Sequence, residues 1–153
     1  MSEELDAAIY GAIANTLENM AFLEVGRDLE DATRYPAEET VCCRLLIHDP
    51  LQGEIYLVMP IPLMRKIAST VYIMPEEELS ERMLLDMLGE LVNTVAGLFM
   101  NAYLPKNQTY ALGLPETGVD RPESVLSTMK EWEFQTEDTV FSLSLTGDGF
   151  FPE

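Results

Sequence analysis

The sequence predicts an α+β fold: an antiparallel sheet with two long antiparallel helices packed on one face. Two stretches, 2–22 and 80–101, place apolar residues at helical spacing. Two pairs of β-rich runs, 40–47 with 54–59 and 131–136 with 139–146, are each joined by a turn signal. Each helix then has one apolar face and each strand one apolar side, and burying one against the other satisfies both.

In the first helix Ser2 is placed to cap, Glu3 and Glu4 supply acids to the first turn, and Ile9, Ile13, Leu17 and Met20 form the apolar line. Residues 24–39 lose that period and read as a polar connection with room for a short strand. The next two β-rich runs flank His48 to Gly53, where Asp49-Pro50 and Gln52-Gly53 favour a turn, so a hairpin is expected. Pro62 opens a short helix that ends before Pro75, and Glu76 to Glu78 lead into Ser80, the N-cap of the second long helix. That helix is expected to reach Asn101 and stop before Pro105. Three β-rich segments follow, 108–115, 131–136 and 139–146, with Thr136 to Asp138 as a tight turn between the last two. No repeat, low-complexity tract or linker divides the chain, so residues 1–153 are expected to form a single domain.

Charge and cysteine usage narrow the function classes. With 27 acidic residues against 9 lysines and arginines, the formal charge is -18, which repels phosphate backbones and anionic headgroups. The only close basic pair is Arg65 and Lys66, so neither nucleic acid nor membrane is an expected partner. Cys42 and Cys43 are adjacent, which excludes CxxC spacing and argues against a disulfide within the chain. The acidic start MSEELDAA lacks the basic and apolar regions of a secretion signal, and no uninterrupted apolar run approaches the ~18 residues of a membrane span. A cytoplasmic location is expected.

The stretch LLDMLGELVNTVAG, residues 84–97, carries the functional signal. On a helical wheel of about 100° per residue with Asp86 at zero, Glu90 falls near ~40°, Asn93 near ~-20° and Gly97 near ~20°. Leu84, Leu88, Leu91, Val92, Val95, Leu98 and Phe99 take the opposite side. The plain reading is the solvated face of an amphipathic helix. Two details weigh against it: an asparagine in mid-helix, and Gly89 and Gly97 beside the stripe, each costing about 1 kcal/mol relative to alanine. The glycines suggest that something approaches the helix closely. A transition-metal pair built on Asp86 and Glu90 lacks nearby histidine or cysteine, the only histidine being His48 in the expected hairpin turn, so no metal site is expected. Asn93 is more informative. An amide accepts from a water through its carbonyl and donates elsewhere through its NH₂, so it can position a water, a recurrent need in phosphoryl hydrolysis.

The pattern Asp86, three residues, Glu90, two residues, Asn93, and then 21 residues before Pro115 resembles the signature of the CheC, CheX and FliY chemotaxis phosphatases. CheC-like members generally carry the helix motif twice. In this chain Asn15, Glu18 and Asn19 of the first helix do not reproduce its spacing, so the single copy is similar to the CheX-like members. The resemblance implies a protein aspartyl-phosphate phosphatase acting on the phosphorylated form of a CheY-type response regulator. Glu90 would pair with a lysine of the regulator and Asn93 would orient the hydrolytic water, while Asp86, Gly97 and Pro115 would support the helix face. No cofactor would be bound by this chain, and Mg²⁺ would belong to the regulator. The resemblance also implies a homodimer joined through the sheet, for which the strand-rich C-terminal third offers edges unless strand 141–146 is internal. The rival readings are a non-catalytic docking module of the same fold, serving a regulator or a flagellar switch component, and a structural subunit whose polar stripe lies in a dimer interface.

Overall fold

The computed structural model describes residues 2–122 and 128–151. Helix α1 (Ser2–Ala21) buries Leu5, Ile9, Ile13 and Leu17 at spacings of four, while Ala7, Gly11, Asn15 and Glu18 face solvent. The expected cap rests on the Ser2 side chain, which lies outside the described residues. Residues 24–39 hold no strand. Single bridges at Gly26–Gln135 and Thr33–Thr139 and a 3₁₀ turn, Ala37–Glu39, replace it, because this polar segment has no alternating apolar side to bury.

Strands β1 (Thr40–Asp49) and β2 (Gly53–Pro60) form the expected hairpin with a shorter turn. The ladder absorbs His48, Asp49 and Gly53, so His48 is an exposed strand residue rather than a turn residue. Helix α2 (Ile61–Tyr72) starts one residue before Pro62, whose missing N–H has no partner to lose in a first turn. Helix α3 (Glu81–Tyr103) is capped by Ser80 as expected, its hydroxyl accepting from the Met83 amide at 3.2 Å. It runs two residues beyond Asn101, and the Leu104 amide still bonds the Met100 carbonyl before Pro105 intervenes.

The C-terminal third differs most from expectation. The run 108–115 supplies only the two-residue β3 (Ala111–Leu112), and a second short strand, β4 (Glu116–Thr117), follows it. Both pair with β1, at different heights. Strands β5 (Met129–Thr136) and β6 (Thr139–Thr146) close a hairpin around Glu137 and Asp138, whose φ angles of 50 and 61° are the left-handed pair that a two-residue turn requires. Sheet order is β3–β1–β2–β6–β5, antiparallel throughout. Strand β6 is therefore internal, and the sheet's outer strands are β5, bridged at Gln135 by Gly26, and β3 with β4.

Both long helices pack on one face of this sheet. Lys130 at the start of β5 meets Asp6 near the start of α1, and Thr136 at its end bonds the Glu24 carbonyl just past α1, so α1 runs along β5 in the same direction. Phe99 of α3 meets Phe150 just beyond the end of β6, so α3, which lies over β1 and β2, runs in the direction of β6 and antiparallel to α1. Between them lie Leu45, Ile55, Leu88, Leu91, Phe99 and Phe134, all essentially inaccessible. Helix α3 is long and apolar enough to cross a membrane by length and composition, but its apolar side is packed into this core. On the opposite face of the sheet, Arg44 pairs with Glu116 at 2.8 Å and Glu54 at 3.7 Å. Cys42 and Cys43 point to opposite faces and both are buried, which pushes their thiols up to about 11 and about 12. Neither forms thiolate near neutral pH.

Asp6 anchors the start of α1 across the helix–sheet interface, accepting from Lys130 Nζ and Trp132 Nε1, both at 2.7 Å. The hydrogen bonds from Lys130 and Trp132 hold its carboxyl below its ordinary value of 3.8. Its contribution is therefore present above pH ~4 and lost as the pH falls through the lower folded-state value. Asp6→Asn is expected to cost up to about 1 kcal/mol at pH 7, given its partial exposure, with the difference from the parent shrinking toward pH ~3. Urea titrations at the two pH values measure it.

Candidate functional site

The stripe foreseen on the second long helix is present on α3. Asp86, Glu90 and Asn93 are all exposed, while Leu84, Leu88, Leu91, Val92 and Val95 behind them are buried. At about 1.5 Å rise per residue, Glu90 and Asn93 stand ~4.5 Å apart along the axis, with Asp86 ~6 Å beyond Glu90. Among the described residues, none of the three side chains makes a hydrogen bond or an ion pair. The nearest such bond, from Thr94 Oγ1 to the Glu90 carbonyl, uses only the backbone of Glu90. A carboxylate and an amide are thus presented together to solvent from a backbone fixed by core packing. Met87 is buried at 3% exposure, because its position about 100° from Asp86 already turns into the core. Met83 is half-buried at the margin.

What lies beside the glycines is this chain itself. Segment 110–117 of this chain runs along one flank of α3. A Cβ at Gly97 would lie 3.7 Å from the Tyr110 hydroxyl, and one at Gly89 would lie 3.5 Å from Pro115 and 3.9 Å from Thr117. The Tyr110 hydroxyl also donates to the Gly97 carbonyl at 3.4 Å. Pro115 is thereby brought against the helix one turn from the stripe, and Gly97 marks where the segment first meets it. Both gaps are ordinary van der Waals distances, so alanine fits. Gly97→Ala is expected to raise stability by up to about 1 kcal/mol through helix propensity, read as a higher urea midpoint.

The other flank is formed by the end of α2. The Tyr72 hydroxyl donates to the Met83 carbonyl at 3.4 Å. Burial, with the negative charges of Asp86 and Glu90, pushes its phenol above the usual range. Tyr72 and its neighbour Ile73 were not foreseen as site residues, because nothing in their local sequence says that α2 ends beside the stripe. Among the described residues, no group of three or more histidine, cysteine or carboxylate side chains is arranged to hold a metal.

The paired helices on one face of an antiparallel sheet make an α+β domain of the CheC/CheX type of fold. The family model described as "Chemotaxis phosphatase CheX" matches residues 41–133, and the chain belongs to that family. Solved structures share the fold. Chemotaxis protein CheX from Vibrio vulnificus superposes with a TM-score of 0.73 at 15% identity, covering 93% of this chain and 95% of its own. CheX from Desulfovibrio desulfuricans gives 0.71 at 15% identity, covering 93% and 97%. A chain of the CheX–CheY–BeF₃–Mg²⁺ complex from Borrelia burgdorferi gives 0.69 at 14% identity, covering 92% and 95%. No curated protein matches the sequence.

Proposed function

We propose that this protein removes phosphate from the aspartyl-phosphate of a CheY-type response regulator by orienting the water that hydrolyses it. The observation that carries the reading is Asn93: an exposed amide, unpaired among the described residues, one turn from Glu90 on a helix whose back is buried. Its Oδ1 accepts a hydrogen from the attacking water and aligns the water oxygen with phosphorus. As the P–O bond to the regulator's aspartate breaks, the carboxylate leaves and inorganic phosphate forms. Little covalent help is needed in such a loose transition state, so positioning supplies most of the gain. The Glu90 carboxylate serves docking, pairing with a lysine ammonium at the edge of the regulator's pocket. Mg²⁺ is held by the regulator, and Asp86 adds negative charge one turn away.

Family membership and the fold shared with a chain from a CheX–CheY complex support this partner class. The single copy of the motif implies one catalytic face per chain. Assembly as a homodimer through the sheet belongs to the same reading, with the β5 edge or the charged face around Arg44 as the surfaces available. So does a cytoplasmic location, where the regulator would be found.

The test is the decay of a phosphorylated CheY-type regulator under saturating Mg²⁺, alone, with the intact protein, and with Asn93→Ala. Acceleration that disappears in the variant while binding persists supports the phosphatase. Absence of acceleration with the intact protein across several regulators favours the non-catalytic docking module.

A further inference from the structure

Helix α2 ends on a residue that stability does not explain. Its C-cap, Ile73, has φ 55 and ψ 55°, the left-handed conformation in which a β-branched side chain crowds its own backbone. Glycine is the usual residue there because it avoids that cost. The Ile73 side chain is 89% exposed, so no burial compensates within the chain. The turn itself is held by the Met74 amide on the Ser69 carbonyl at 3.1 Å and returns Met74 to the core, which accounts for the left-handed backbone but not for an exposed isoleucine in it.

Ile73 also has a counterpart. Tyr72, immediately before it, bonds the Met83 carbonyl on one flank of the stripe, about 60° around α3 from Asp86. Gly89 lies about 60° around on the other flank, where Pro115 rests against the helix. Next to Pro115, Leu114 is 86% exposed. Two of the three large apolar residues most exposed among those described are thus chain neighbours of residues that touch α3 on opposite flanks of Asp86, Glu90 and Asn93.

We propose that Ile73 and Leu114 form an apolar clamp that seats the partner protein over the stripe. The occupant is a folded protein whose contact patch presents a cationic group between apolar side chains: the cation meets Asp86 and Glu90, and the apolar rim meets Ile73 and Leu114. This rests on the phosphatase reading and specifies how the regulator is held. Charge complementarity restricts the occupant, since Glu76, Glu77, Glu78 and Glu81 add further negative charge at the start of α3. A chain at -18 is repelled by any acidic surface around that cation, so a single cation adds little net long-range attraction. Short-range apolar burial on both sides supplies affinity that neither net repulsion nor salt screening removes.

The experiment is a calorimetric titration of a CheY-type regulator loaded with Mg²⁺ and beryllofluoride, using the intact protein, Ile73→Gly and Leu114→Ser, with thermal midpoints measured on each. Each substitution is expected to weaken binding about tenfold, or ~1.4 kcal/mol, and to do so equally at low and high salt. Ile73→Gly should at the same time keep or raise the thermal midpoint, which a merely structural residue would not do. Affinities within twofold of the parent for both variants overturn the clamp, as does weakened binding that appears only with a lowered midpoint. If the intact protein binds the loaded regulator through this clamp but does not speed phosphate loss, the phosphatase reading fails and the clamp stands. If it speeds the loss and both variants bind unchanged, the clamp fails and the phosphatase reading stands.

Discussion

Replacing Asn93 with alanine is expected to abolish most of the acceleration of phosphate loss, on the order of a hundredfold, while leaving both the fold and regulator binding in place. The size follows from the work assigned to the amide. Holding one water in line is worth about 3 kcal/mol in the transition state, and ~1.4 kcal/mol corresponds to a factor of ten. Selectivity follows from its surroundings. Asn93 is exposed, and its side chain makes no hydrogen bond among the described residues, so truncation leaves no buried group without a partner. Alanine is also the better helix former, so the thermal midpoint should hold or rise slightly. Asn93→Asp tests the chemistry further. It conserves shape but places a charge beside a phosphoryl group, and it replaces a group that both accepts and donates with one that only accepts. It should be at least as impaired as alanine. Glu90→Gln should fail differently, raising the regulator concentration needed for half-maximal rate more than it lowers the rate itself. Single-turnover decay across a range of phosphatase concentrations separates the two.

That division of labour depends on preorganisation. The stripe can act at a fixed geometry because Leu88, Leu91, Val92 and Val95 lock the far side of α3 to the sheet. The same buried side makes α3 apolar enough to pass as a membrane span by composition. The three polar residues on its front break that apolar surface where a partner would sit.

Much of this was legible in the sequence, for identifiable reasons. Ser80 was readable as a cap because serine before an apolar-periodic run satisfies the first amides of a helix. The Glu137–Asp138 turn was readable because two β-rich runs flank it at hairpin spacing. Asp86, Glu90 and Asn93 were readable as one face because helical geometry fixes it without tertiary information. What stayed hidden depends on contacts distant in the chain. Strand β4 is two residues long and exists only because Cys43 and Arg44 of β1 lie opposite it, so no local period announces it. The polar stretch 24–39 was left room for a strand, yet forms only single bridges to Gln135 and Thr139. Gly89 and Gly97 lie beside segment 110–117 of the same chain at distances that alanine would also tolerate, so the close approach expected of them is not required. Ile73 was hidden because left-handed caps are read from glycine, and isoleucine carries no such signal.

Phe99→Ala should produce the inverse of Asn93→Ala: a large loss of stability with the chemistry of each folded molecule largely kept. Phe99 is fully buried, its ring 5.5 Å from Tyr103 and 5.8 Å from Phe150. Phe150 is itself buried, its ring edge packed over Gly53, where a Cβ would be only 2.8 Å away. A cavity left among such closely packed neighbours costs about 3–5 kcal/mol, a large part of the ~5–15 kcal/mol that holds a domain of this size together. Urea denaturation should show the midpoint falling by a corresponding fraction. Phe99 lies six residues beyond Asn93, about 9 Å along the axis, and the turn carrying the amide is held independently by Leu88, Leu91 and Val92. Activity normalised to the folded fraction should therefore fall far less than in Asn93→Ala. If it falls as far, α3 moves as one rigid lever, and the position of the amide is set by the aromatic cluster at the far end of the helix as much as by the leucines beneath it.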